Sequence, residues 1–409
     1  MDTARSISRR DLFRLARRYG VCSTLLAATS LGGSISLSRL AQATADTAAA
    51  RSKQPAKYTL RYGASDVTQA DLEVSRSGCL EFVRDLEERT DGVIRVEFYG
   101  DNSICTQQNC VKKAINGDLD LFTSSTQNAS GIAPYLNVWD FPYLFPSNAA
   151  QYHFLYHPGS ERIMREPLRR RHGLHFLFSL CELRSLFMSL KWKERPLITR
   201  LEELKGTKNR ATNSQFGQLA MQLLGLNPLP ITWNDTQKAL RLGLIDGAET
   251  WMSAAALGMP EVISQVVDLR FFCGAEATLM NAAVFDRIEP ELQTAIMESA
   301  YLTQILVQHA NEASLVKTVG ATAPPLPGTL FAKHNIRLAS LSDEERHKAE
   351  QKCSPEFRTN YWEPWRERLF KWSGGIDTYA EIHRIAREIP TTLKAENVTP
   401  RRWWKSDRA

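Results

Sequence analysis

From Tyr58 onward the chain alternates strand-like and helix-like runs, and nothing else in it restricts the fold as tightly. Tyr58-Thr59-Leu60-Arg61-Tyr62-Gly63 has the period of two expected of a first strand. Residues 71–89 have helical spacing, with Leu72, Cys79, Phe82, Val83 and Leu86 on one side. Thr90-Asp91-Gly92 reads as a turn, and 93–99 as a second strand. A helix follows over about 106–115, Asn116-Gly117-Asp118 closes it, and 119–123 reads as a third strand. Strand, helix, strand, helix, strand is the pattern of a parallel sheet covered by helices.

The pattern returns in the second half. Residues 173–180 form an apolar strand, 201–206 a short helical turn and 208–211 another strand. A helix over 215–224 is closed by Gly225; 229–233 reads as a strand and 235–242 as a helix. Two such units predict an α/β fold of two lobes with a ligand cleft between them. The expected first lobe is 58–183 plus part of 272–320. The expected second lobe is 184–271 plus part of 321–390. Residues 290–319 read as one helix of about 45 Å at 1.5 Å per residue, long enough to span both lobes. A Pro-rich break covers 321–328, and further helices are expected over 343–372 and 376–389.

The net charge of +6 would invite a nucleic-acid reading, but most of it is confined to one end. Residues 1–43 hold seven arginines and two acids, which leaves the body near neutral and gives no general electrostatic reason to bind nucleic acid. That segment has a basic start, a mildly apolar middle and a small-x-small end at Ala41-Gln42-Ala43. Ser8-Arg9-Arg10-Asp11-Leu12-Phe13 looks like a twin-arginine export signal, followed by a polar linker over 44–57. Export places the body in the periplasm, where disulfides are permitted, and Cys105 and Cys110 are spaced to close a small loop or to remain free thiols. Cys79, Cys181, Cys273 and Cys353 read as buried apolar side chains. No stretch of 18 apolar residues lacks charge, so a spanning helix is not expected. The basic, aromatic tail over 391–409 reads as packing Trp403 and Trp404 back on the body, with contact to a membrane surface as the alternative.

Familiar catalytic signatures are absent: the sequence has no GxxxxGK[ST], GxGxxG, GxSxG, HExxH or CxxC. His153 and His157 have the spacing to share a metal, but no glutamate lies between them, so neither a metal nor another cofactor is expected.

The chemistry concentrates over 196–251. Leu204-Lys205-Gly206-Thr207-Lys208-Asn209-Arg210 puts an arginine at the end of a short strand. Its planar fork suits a carboxylate, and Trp233 and Trp251 can wall such a pocket. With the blocks Thr90-Asp91-Gly92-Val93-Ile94-Arg95-Val96, Ile115-Asn116-Gly117-Asp118-Leu119-Asp120, Phe141-Pro142-Tyr143-Leu144-Phe145, Gly225-Leu226-Asn227-Pro228 and Ile245-Asp246-Gly247-Ala248-Glu249, the chain resembles the solute-binding proteins of tripartite ATP-independent periplasmic (TRAP) transporters, the dicarboxylate-receptor (DctP-like) family. The resemblance covers roughly 58–390. It implies a non-catalytic periplasmic receptor that closes on a small organic anion and delivers it to membrane permease subunits. It also implies ligand contacts at Arg210, Arg184, Trp233, Thr250 and Trp251, at Ser65, Ser125 and Asn128 from the first lobe, and at Asn281 near the hinge.

Two other classes fit an exported chain: a cofactor-dependent enzyme, and a sensory receptor with the same fold. Protein from Thr44 onward, purified after native export, is expected to be colourless and metal-free. Visible absorbance, or stoichiometric metal by elemental analysis, favours the enzyme.

Overall fold

Among residues 55–65 and 78–405, which the computed structural model describes, eleven strands form two sheets. The expected export signal, most of the expected linker and the start of the helix expected over 71–89 lie outside those residues. β1 (Tyr58–Ala64) pairs in parallel with β2 (Ile94–Tyr99) and β3 (Leu121–Ser125), the arrangement that strand–helix–strand spacing implies. β10 (Ala275–Asn281) inserts antiparallel between β3 and β4 (Leu174–Cys181), giving the order β2-β1-β3-β10-β4. Helix α1 (Cys79–Arg89) turns Cys79, Phe82 and Leu86 into this sheet. The Phe82 ring packs on Tyr62 and Phe178, a burial that stabilises by about 2 kcal/mol. α2 (Cys110–Asn116) ends at Gly117, whose φ of 82° suits a residue without Cβ.

The second sheet has the order β11-β9-β5-β8-β6-β7. Its strands are β5 (Arg184–Ser189), β6 (Lys208–Ala211), β7 (Asn227–Pro230), β8 (Gly247–Thr250), β9 (Ile263–Phe272) and β11 (Arg337–Ala339). β6 pairs in parallel with β7 and β8, while β5 is antiparallel to β8 and β9. α3 (Asn148–Tyr156) belongs to the first lobe; α4 (Gln215–Leu223), α5 (Trp233–Arg241) and α6 (Met252–Gly258) belong to the second.

The chain passes between sheets at two adjacent points, from β4 to β5 and from β9 to β10. The Glu182 amide donates to the Gly274 carbonyl at 2.8 Å, which locks the two crossings together. A Cβ on Gly274 would lie 2.2 Å from the Glu182 carbonyl oxygen and 1.6 Å from Trp251 Nε1, so only glycine fits. The Glu182 carboxylate accepts from the amides of Met252 and Ser253, at 2.6 and 3.2 Å, and from the Ser253 hydroxyl at 2.6 Å, so it caps α6 in the second lobe. Asn148 on α3 accepts from the Leu183 amide at 2.8 Å, which anchors the same crossing to the first lobe.

A third connection is the long helix. α7 (Pro290–Ser314) packs along β4 and α1, then continues through a π turn, Leu315–Val319. Leu315 and Val319 enter the apolar cluster of the second lobe. The element therefore spans both lobes over the whole of 290–319.

Some sequence expectations need correction. Trp233 starts a helix and does not end a strand. Pro228 and Pro230 suit β7, an edge strand, and Thr232, extended at φ −62° and ψ 156°, opens α5. The helix expected over 343–372 is two, α8 (Asp343–Cys353) and α9 (Thr359–Ser373). Pro355 pushes Ser354 out of helical conformation, to ψ 154°. α10 (Thr378–Ala386) falls within the expected 376–389. The tail packs inward: Trp403 is buried against Tyr156 and Tyr301, with the Arg165 guanidinium 4.5 Å from its ring centre. Arg402 and Lys405 both pair with Glu298 on α7, at 2.9 and 2.8 Å.

Glu312 on α7 accepts from Asn148 at 2.9 Å. Burial, with Glu182 and Glu396 nearby, raises its pKa to about 7. The folded state then holds this proton better than the unfolded one, so stability falls as pH rises from about 4.5 through 7. Glu312→Gln is expected to remove that loss and to raise stability at pH 8 by up to about 3 kcal/mol, measured by urea unfolding at pH 5 and pH 8.

Candidate functional site

A small cavity lies between the lobes. The first lobe contributes Gln107, Ser125, Asn128 and Glu276; the second contributes Arg184, Arg210, Trp233, Thr250, Trp251 and Ala254. Arg210, near the end of β6, is 2% exposed. Its Nε donates to the Ile231 carbonyl at 3.1 Å and its Nη1 to the Glu249 carbonyl at 3.0 Å. These bonds fix the plane of the fork and leave Nη2 with no partner among the described residues. The Trp233 ring lies 5.7 Å from the guanidinium carbon. Burial draws the Arg210 pKa down to about 10, the Glu249 charge opposes that and Arg184 adds to it, so the group stays cationic at neutral pH. A fixed, buried cation with an unfilled donor is suited to a carboxylate.

Arg184, the first residue of β5, also lines the cavity but is already engaged. Its Nε and Nη2 grip both oxygens of Glu249, the latter at 3.0 Å, and both residues are 2% exposed. The expected second arginine therefore lines the cavity while paired with an acid: β8 runs antiparallel to β5 and places Glu249 opposite Leu186, within reach of the Arg184 fork. Arg184 also lies 4.9 Å over the Trp251 ring. Near this pair Asp140 is buried with no partner for either carboxylate oxygen among the described residues, and burial holds its pKa well above the usual range.

On the first-lobe wall, Ser125 ends β3 and faces Glu276 across the ladder. Gln107 Oε1 accepts from the Ser125 amide at 2.8 Å, the Ser124 hydroxyl at 3.2 Å and Asn128 Nδ2 at 3.4 Å. Cys105 and Cys110 are disulfide-bonded around Gln107, so the closed loop holds that amide against the cavity. Ser125 Oγ has no partner among the described residues. Thr250 ends β8 at the cavity, and Trp251 follows it.

Two expected contacts are not part of this lining. Asn281 caps the short helix Ala282–Asp286: its Oδ1 accepts from the Val284 amide at 3.0 Å and its Nδ2 donates to the Ala114 carbonyl at 2.7 Å. Both ends of its amide are used for structure. Ser65 is buried just past β1, but it does not line the cavity. Sequence reasoning missed Gln107, Glu276 and Ala254. Glu276 carried a signal, an acid inside a strand buried along its whole length. His153 and His157 do meet a carboxylate, with Nε2 atoms 3.2 and 3.5 Å from Glu388 Oε2. The His153 contact is a hydrogen bond, and the Gly159 amide donates to His157 Nδ1 at 3.0 Å, so that nitrogen is occupied within the fold. Among the described residues no group of three or more His, Cys, Asp or Glu is arranged to hold a metal ion.

The model of the bacterial extracellular solute-binding proteins, family 7 (DctP), matches residues 65–359. The chain belongs to that family. Among curated relatives, the 2,3-diketo-L-gulonate-binding periplasmic protein YiaO of Escherichia coli is 24% identical over 250 residues, 60% of this chain and 72% of the relative. An uncharacterized Haemophilus influenzae protein is 27% identical over 251 residues, 60% of this chain and 72% of its own. The fold matches a TRAP periplasmic solute-binding protein from Sulfitobacter, solved with β-D-galacturonate, at a TM-score of 0.64 and 17% identity, over 81% of this chain and 100% of that one. It also matches one from Sulfurospirillum deleyianum, solved with succinate, at 0.62 and 18%, over 79% and 100%. The two-lobed α/β fold is thus that of a TRAP solute-binding protein, and family and neighbours alike are binding proteins.

Within this solute-binding protein the Arg184–Glu249 pair makes a sharp stability prediction. Arg184→Ala strands a buried carboxylate and is expected to cost about 3–5 kcal/mol in urea unfolding. Adding Glu249→Leu to it should recover most of that loss.

Proposed function

We propose that this chain is the periplasmic receptor of a TRAP transporter, capturing a small organic acid and passing it to membrane permease subunits without chemical conversion. The observation that carries the reading is Arg210: a buried guanidinium between the lobes, held by two carbonyls, with Nη2 unfilled. A carboxylate seated there completes the fork in a site of low dielectric, where the attraction is strong. Trp233, Thr250 and Trp251 from residues 184–271, and Ser125 and Asn128 from residues 58–183, enclose the rest of the ligand. Closure about the paired crossings is favoured by the ligand's preference for the closed state. The ligands of YiaO and of the Sulfitobacter and Sulfurospirillum proteins are all organic acids, in keeping with this class. The twin-arginine motif at Arg9-Arg10 gives the export route.

The test is a thermal-shift screen of the chain from Thr44 onward against small organic acids. A ligand at a thousandfold over its dissociation constant is expected to stabilise by about 4 kcal/mol. Arg210→Ala should abolish the shift for every acid that gives one; a shift of undiminished size in that variant overturns the assignment.

A further inference from the structure

We infer that one stripe of α9, with the helix packed beside it, binds the surface of a bilayer that contains anionic phospholipid. On α9, Tyr361, Trp365, Arg368 and Trp372 recur at i, i+4, i+7 and i+11, the spacing that keeps side chains on one side of a helix. The Arg368 guanidinium carbon lies 4.6 Å from the centre of the Trp365 ring and 5.8 Å from that of Trp372. Arg171, from the helix Glu166–His172, lies 3.8 Å over the Trp372 ring. Ring and cation thus alternate across the two helices. Arg170 donates to the Trp372 carbonyl at 3.3 Å and adds its charge to the same place, as does Lys371 beside Trp372. Arg170, Arg171, Arg368 and Lys371 are all exposed, and none forms an ion pair among the described residues. Tyr361 is 46% exposed, and both indoles are half-buried.

Stacking on a ring orients a guanidinium without neutralising it, so all four charges remain for an anion outside the protein. The exposed acids of the two helices turn away from the stripe. At 3.6 residues per turn, Glu363 and Glu367 lie about 100–140° round α9 from Arg368, and Glu166 lies about 140° round its own helix from Arg171. The rings favour a lipid headgroup layer over a soluble anion. An indole or phenol has an apolar body and a polar tip, and the boundary between hydrocarbon and water satisfies both. Each basic side chain at that depth raises partition onto anionic lipid about fivefold. Trp362 and Leu369 are buried on the inner side of α9, so the stripe is presented from a helix fixed to the fold. A protein held in this way diffuses along the membrane surface, where a transporter's receptor has to deliver its ligand.

Vesicle flotation with the chain from Thr44 onward tests this. Phosphatidylcholine vesicles holding about 30% phosphatidylglycerol are expected to bind the protein at least tenfold more tightly than phosphatidylcholine alone at low salt, and about 0.5 M sodium chloride should remove most of the difference. Arg368→Glu with Lys371→Glu should weaken binding to the anionic vesicles at least tenfold. Lys193→Glu with Lys333→Glu changes the net charge by the same amount at exposed sites outside the stripe and should leave binding within about twofold. Equal binding to the two kinds of vesicle overturns the inference. So does undiminished binding by the Arg368 and Lys371 variant, equal loss in both double variants, or binding to poly-L-glutamate without binding to vesicles. Should a variant not fold, the comparison of vesicles with the unaltered chain decides. Failure here leaves the receptor reading untouched, because the thermal shift with organic acids and its loss in Arg210→Ala are read without vesicles.

Discussion

The molecule turns on one contact, the hydrogen bond from the Glu182 amide to the Gly274 carbonyl where the two strand crossings run side by side. On either side lies a sheet with its own helices, and one apolar cluster runs between them, with Phe141 packed on Phe216 at 4.7 Å. At the crossing there is no space for a Cβ, because the Trp251 indole and the Glu182 carbonyl close over Gly274. The same few residues bind outward in both directions, Glu182 to the start of α6 and Leu183 to Asn148. A two-lobed receptor needs a joint that is narrow enough to bend and tied enough to return to one geometry. Two adjacent strands with a shared hydrogen bond, backed by one long helix, provide both.

Ligand chemistry follows from how charge is distributed around that joint. The cleft contains buried arginines and buried acids together, and their roles differ by partner. Arg184 and Glu249 neutralise one another, an arrangement whose two halves are costly to separate. Arg210 is hydrogen-bonded to two backbone carbonyls and forms no ion pair among the described residues. The first-lobe wall is neutral apart from Glu276, and a disulfide loop holds Gln107 in it.

Much of the architecture was legible because hydrophobic period and turn chemistry are local properties. β1, β6 and the long helix fall within a residue or so of where alternation and spacing put them. The misread elements have local causes too. Pro355 splits one expected helix, and Thr232 starts α5 where an apolar run looked like strand. The binding wall was less legible. Gln107 is an ordinary polar residue in a short loop until the Cys105–Cys110 bond and the end of β3 bring it to the cavity. Asn281 looked like a hinge ligand and is a helix cap, because the choice between those roles depends on Ala114, 167 residues away in sequence.

The sequence by itself determined the alternation that makes two α/β lobes, the helix long enough to span them and the presence of an arginine at a strand end. These depend on neighbours along the chain, where spacing is enough. Only the tertiary structure decided how each arginine is partnered. Arg184 and Arg210 are indistinguishable as residues, and what separates them is the pairing of β5 with β8, which delivers the Glu249 carboxylate to one and only the Glu249 carbonyl to the other. Charge compensation is a property of distance in space, and strand order is what sets that distance.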